Sequence, residues 1–164
     1  MTIQREPVGP GQESVWDYPR PPRLESTQQH IRVLVEGVTL ADSHRCWRVL
    51  ETSHPPVYYI PPADIVMHYL HLTAQQSWCE WKGGAGYYTV IIGARQIVNA
   101  AWVYPNPTPA FAPIRNYVAF YPSKMDECYV DDERVQAQPG DFYGGWITRA
   151  IVGPFKGAPG TRGW

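Results

Sequence analysis

Two short stretches bring together side chains able to do acid–base work. In Glu51-Thr52-Ser53-His54-Pro55-Pro56 a carboxylate ends the run Arg48-Val49-Leu50 and an imidazole follows three residues later. A glutamate at a strand end that faces a pocket is suited to general acid or base catalysis. His54, whose ordinary pKa is about 6.5, is placed to assist it. In Cys79-Glu80-Trp81-Lys82-Gly83-Gly84 a lysine sits beside an aromatic ring. Such a lysine binds an anion through charge, or has its pKa lowered. The glycines after it let backbone N–H groups approach a ligand. Each stretch also has a plain structural reading: Glu51 paired with Arg45 or Arg48, His54 capping a turn, and Lys82 on the surface beside a glycine turn.

Aromatic residues supply the walls. Tyr58, Tyr59, Tyr87, Trp102, Tyr104 and Tyr121 fall in strand-like runs, where successive side chains face opposite ways. Only half of them can therefore line one cavity; the others pack a core. The expected site has Glu51 and Lys82 as catalytic residues, with His54, Tyr59, Cys79, Trp102 and Tyr121 contacting a ligand. His68 and His71 would share a face only on a helix. A strand is expected there, and no metal-ligand spacing stands out, so neither metal nor cofactor is expected. Cys79 as a nucleophile would need a nearby base, and its structural alternative is a small apolar residue.

The elements that must position these groups are short. The chain has 164 residues, which suits one domain, and its 17 prolines and 14 glycines leave little room for long helices. Aromatic and β-branched runs between the breakers favour strands. Ile31, Val33 and Val35 alternate with polar or outward positions, then Glu36-Gly37 turns into a second strand. Residues 65–72 are read as a strand after one helical turn, 83–86 as a glycine turn, and 87–92 and 97–104 as a strong pair. Pro109 is placed to start a short helix over 110–115, and Asp131-Asp132 turns a small hairpin. The expectation is a mainly β fold of about nine short strands and one or two short helices, as an antiparallel barrel-like or two-sheet domain. Residues 1–30 read as an arm pinned by Trp16 and Tyr18, 31–132 as the core, and 133–164 as a Gly/Pro-rich extension whose tail, 139–164, holds one short strand.

Composition removes some function classes. The formal charge of −1 offers no basic field for a phosphate backbone, so nucleic acid is not expected as a partner. No apolar run is long enough to span a membrane. Three cysteines without CxxC spacing and a polar N-terminus point to a cytoplasmic protein with reduced thiols.

Four segments in order carry a family resemblance. They are Val49-Leu50-Glu51 with His54-Pro55-Pro56-Val57-Tyr58-Tyr59; Cys79-Glu80-Trp81-Lys82-Gly83; Asn99-Ala100-Ala101-Trp102-Val103-Tyr104-Pro105; and Val118-Ala119-Phe120-Tyr121-Pro122 before Met125-Asp126. Together they resemble the domain-of-unknown-function 427 family over about Arg32 to Asp132. The resemblance implies a small β-rich domain and carries a nucleotidyltransferase-like label. Nucleotidyl transfer calls for paired carboxylates around magnesium. Asp131-Asp132, the one adjacent aspartate pair, reads instead as a turn. The preferred function is a small-molecule-binding domain with modest acid–base chemistry. The alternatives are an interaction module, homodimeric through its Trp-rich arm and tail, and nucleotide transfer.

Overall fold

A computed structural model describes residues 3–140 and 142–164. Met1 and Thr2 of the expected arm, and Asp141 of the extension, lie outside the described residues. The strands that build the body are β1 (Arg23–Thr27), β2 (Ile31–Val35), β3 (Val38–Ser43), β4 (Cys46–Leu50), β5 (Val57–Tyr59), β6 (Leu70–Cys79), β7 (Gly83–Ile92), β8 (Arg95–Val103), β9 (Val118–Phe120) and β10 (Glu127–Val130). Among the described residues helix is confined to short 3-10 segments. Those at Pro62–Asp64, Pro109–Ile114 and Pro122–Lys124 each open on a proline, whose fixed φ suits a first turn.

Pairing is antiparallel throughout the body. Strands β1, β4 and β5 form one sheet in that order, and β9, β8, β7 and β6 another. Ile60 and Val118 exchange reciprocal backbone hydrogen bonds of 2.9 Å, which joins the two into one bent surface. A further sheet, ordered β10-β2-β3 with Glu133–Arg134 outside β10, packs against it. The main core lies between them. Ile31, Val33, Val35 and Leu40 meet Tyr58, Val90, Ala101, Val118 and Phe120, all buried. Among the described residues no sheet closes into a barrel, so the packed-sheet form of the expected mainly β fold is the one present.

Several local expectations are corrected. The turn at Pro62–Asp64 forms, but a second 3-10 turn follows at Met67–Tyr69, and the strand begins only at Leu70. The segment 83–86 is strand rather than turn, and the chain reverses at Glu80-Trp81-Lys82 instead. Glycine suits this strand because neighbouring side chains lie across it. The Trp78 ring passes 3.8 Å from where a Gly84 Cβ would stand, and Leu72 passes 3.5 Å from that of Gly86. Among the described residues the tail beyond Pro139 contains two strand pieces rather than one: Trp146–Ile147, which pairs with Gln136–Ala137, and Ile151–Val152, which pairs with Glu13–Ser14.

The arm and the extension hold each other. Trp16 Nε1 donates to the Pro154 carbonyl at 2.9 Å, Tyr18 is buried, and the Trp16 and Trp164 rings meet edge-on at 5.3 Å. Buried Arg48 donates to Glu13 at 2.7 Å and also pairs with Glu25, so its charge is neutralised within the fold. Among the described residues no helix is long and apolar enough to cross a membrane.

Candidate functional site

Alternation along the bent sheet sorts the aromatic residues. Tyr58 points into the main core, whereas Tyr59 points to the other face, as strand geometry requires. That second face gathers Tyr59, Trp102 and Tyr104 with the partly buried Tyr87, Tyr121 and Cys79. Phe111 and Ile114, on the 3-10 segment begun by Pro109, close one end of it.

The rings form a connected set. Trp102 Nε1 donates to the Tyr59 hydroxyl at 3.1 Å, with the two ring planes perpendicular. Tyr121 lies 4.5 Å from Trp102 between ring centres, and Tyr104 lies 6.3 Å from Tyr59. Tyr87 and Ser77 share a hydroxyl hydrogen bond of 2.8 Å. Burial pushes the Tyr59, Tyr104 and Tyr121 phenols well above the ordinary tyrosine value. All three keep their protons across the biological pH range and remain able to donate.

Lys82 sits at the reversal between β6 and β7 and is 9% exposed. Its backbone carbonyl accepts from Thr108 N–H at 3.1 Å, and Thr108 Oγ1 donates to the Trp81 carbonyl at 2.6 Å. The hairpin end is thereby tied to the Pro-rich loop. The Lys82 ammonium lies 5.9 Å from the centre of the Tyr104 ring and 5.7 Å from that of Phe111. Among the described residues it makes neither a side-chain hydrogen bond nor an ion pair, so the faces of two rings are its partners.

Glu51 continues the side of β4 that carries Trp47 and Val49. Its partner is Arg20, at 3.4 Å, not Arg45 or Arg48 as expected. Arg45 is engaged by Asp64, and Arg48 by Glu13 and Glu25. The Glu51 charge still reaches the other end of the aromatic face. After burial and the nearby Cys79, Tyr87 and Tyr121, it adds to the upward shift of Tyr104. Tyr104 thus lies beside Lys82 and feels the Glu51 charge only as the weakest of these influences.

His54 closes the turn begun at Glu51, its backbone N–H donating to the Glu51 carbonyl at 3.0 Å, and its ring lies against the Glu51 carboxylate. The amide of buried Gln138 is fixed by two backbone groups, with Gly145 N–H donating to Oε1 at 3.1 Å and Nε2 donating to the Lys156 carbonyl at 2.8 Å. The same Nε2 lies 3.0 Å from His54 Nδ1, which must then be the accepting nitrogen. The proton rests on Nε2, which faces Glu51 Oε2 at 3.5 Å. Burial lowers the His54 pKa to about 4, against the attraction of Glu51 and with help from the Lys156 and Arg20 cations. The ring is neutral near pH 7 and acts as a directed N–H.

Arg20, Tyr104, Phe111, Gln138, Tyr143 and Lys156 complete this neighbourhood and were not among the expected site residues. Tyr143 meets the His54 ring edge-on at 5.0 Å, and Gly144 runs across the site rings. A Cβ on Gly144 would stand 2.3 Å from the Trp102 ring, so only glycine lets the chain pass there. Tyr104 and Phe111 carry a local signal, being aromatic residues at a strand end and between two nearby prolines. Arg20 and Gln138 carry none. His68 and His71 fall on a 3-10 turn and on β6 respectively. Asp131 and Asp132 both have positive φ and form the β10 turn; Asp132 pairs with Arg32 at 2.9 Å, and Asp131 accepts from His30 N–H.

Fold and site together define a small domain of packed antiparallel sheets, with an aromatic face bounded by a lysine and a glutamate. The chain belongs to the family described as Domain of unknown function (DUF427), whose sequence profile matches residues 23–131. No curated protein matches it. Glu51, His54, Tyr59, Cys79, Lys82, Trp102 and Tyr121 all fall inside the matched range, whereas Arg20, Gln138, Tyr143 and Lys156 fall outside it.

Proposed function

We propose that the chain binds a small organic molecule on the Tyr59–Trp102–Tyr104 face and performs modest acid–base chemistry on it. The observation that carries this reading is the Lys82 ammonium. It is 9% exposed, set against two aromatic rings, and lacks a carboxylate partner among the described residues. Its nitrogen is not among the buried, partnerless side-chain atoms, so a cation held beside two ring faces without a counter-charge stays open to an incoming anion or carbonyl oxygen. The rings supply apolar walls with a few polar groups, the composition of a ligand site. In this reading Lys82 and the protonated Tyr104 hydroxyl hold the ligand's oxygen, and Glu51, steadied by His54 and Arg20, exchanges a proton with it. A cytoplasmic location fits the three free cysteines, of which Cys46 and Cys128 are buried.

Benzoate, an aromatic carboxylate, is a suitable probe. It should raise the melting temperature of the wild-type chain, because a ligand bound only to the folded state stabilises it. Lys82→Met keeps the packed stem and should remove the effect, and Glu51→Gln should abolish turnover of a carbonyl substrate. Both variants should melt within a few degrees of wild type. If both simply unfold, the two residues are structural and the proposal fails.

A further inference from the structure

The opposite face of the same strands holds a second recess. Its volume is about 730 Å³, and it is lined by the stretch of β6 from Leu72 to Trp78, by β7 from Gly84 to Tyr88, and by the end of β8 with the loop after it. Trp78 dominates it with 76% of its surface exposed, which is unusual for the largest apolar side chain. The ring lies over the β7 backbone, its edge 3.8 Å from where a Gly84 Cβ would be. Glycine at 84 and 86 lowers the floor of the trough, and Leu72 and Val103 flank it.

The polar groups around the ring have one character. Gln75, Gln76, Asn106 and Asn116 present amides able to donate and to accept, while the Thr73 hydroxyl at the rim donates to Asn99 and accepts from Gln75 N–H. No Asp, Glu, Lys, Arg or His lines the recess. A charged ligand would find no counter-charge there, and an all-apolar one would leave the amides unpaired. A neutral molecule with apolar C–H faces and many hydroxyls satisfies both the exposed ring and the amides. We propose that this recess is a binding site for a neutral carbohydrate, with a sugar ring stacked on Trp78 and its hydroxyls hydrogen-bonded to the surrounding amides.

The test uses the full chain and neutral trisaccharides built from glucose, N-acetylglucosamine or xylose. The indole N–H resonance of Trp78, identified by its loss in Trp78→Phe, is followed as each sugar is added. At least one sugar should shift it saturably at millimolar concentration. Trp78→Ala should remove binding, measured by calorimetry, without lowering the melting temperature. Gly86→Ala, which raises the floor while meeting Leu72 and Val103 only at ordinary contact distances, should weaken binding several-fold with the indole intact. If no sugar moves the resonance, the carbohydrate assignment is wrong. If Trp78→Ala instead converts a dimer into a monomer by sedimentation, the face is a self-association surface and the proposal is likewise overturned.

Discussion

The β6–β7 hairpin serves two faces that differ in almost every respect. On one, Cys79, Ala85 and Tyr87 join a face of interlocked rings, with Lys82 at the hairpin end and Glu51 across the sheet. On the other, Trp78, Gly84, Gly86 and Tyr88 leave a trough open to water and free of charge. Each face has its tryptophan: Trp102 is 9% exposed and Trp78 is 76% exposed. The contrast shows that a ring can be present for two reasons. Trp102 supports the fold and the candidate site together, so its removal cannot separate them. Trp78 supports almost nothing of the fold, so its removal isolates whatever it binds.

The largest test of that contrast is Trp102→Ala. It opens a cavity and strips the Tyr59 hydroxyl of its donor, and should cost about 3–5 kcal/mol in denaturant unfolding. A loss much below that would mean the closed face is as tolerant as the open one. Next is pH. The His54 pKa is about 4 in the folded chain and near 6.5 when unfolded. Its contribution is therefore complete above pH 6.5 and is lost as pH falls through the window down to about 4, where the unfolded chain takes up the proton first. That difference amounts to about 3 kcal/mol. His54→Asn should flatten the fall in stability across the window; an unchanged profile would show that the ring is not buried neutral. Gly144→Ala forces the tail off Trp102 and should cost about 1–3 kcal/mol. It should also weaken benzoate binding, while sugar binding on the open face stays unaltered. Smallest is Trp78→Ala, whose effect on stability should stay within about 0.5 kcal/mol.

The parts legible in the sequence are those set by local alternation. Ile31, Val33 and Val35 all turn inward, and Tyr58 and Tyr59 part to opposite faces. The spacing of Trp102 and Tyr104 brings both to the face of Tyr59. Glycine misled the reading at 83–86, because a residue that permits turns also permits close packing across a strand. The ion pairs were misassigned for a related reason. Arg45 and Arg48 are near Glu51 in sequence, but β4 aims them at Asp64 and at the arm. The partner of Glu51 comes from Arg20, and the orientation of His54 from Gln138, 84 residues away. Neither pairing leaves a trace in spacing or composition, since both depend on where a proline-rich arm and a glycine-rich tail come to rest.

The clasp between those two ends has a consequence for how the molecule is made. Gln138 and Lys156 contribute to the surroundings of His54 and Glu51, and Trp16 is anchored 138 residues further along, at Pro154. A chain emerging from the ribosome can form the β2–β3 and β6–β7–β8 hairpins early, because their contacts are local. It cannot fix the tautomer of His54 until residue 138 has arrived, nor seal Trp16 until residue 154 has. The family-matched body therefore gains the groups that surround His54 and Trp16 only once residues 138 to 156 have been made.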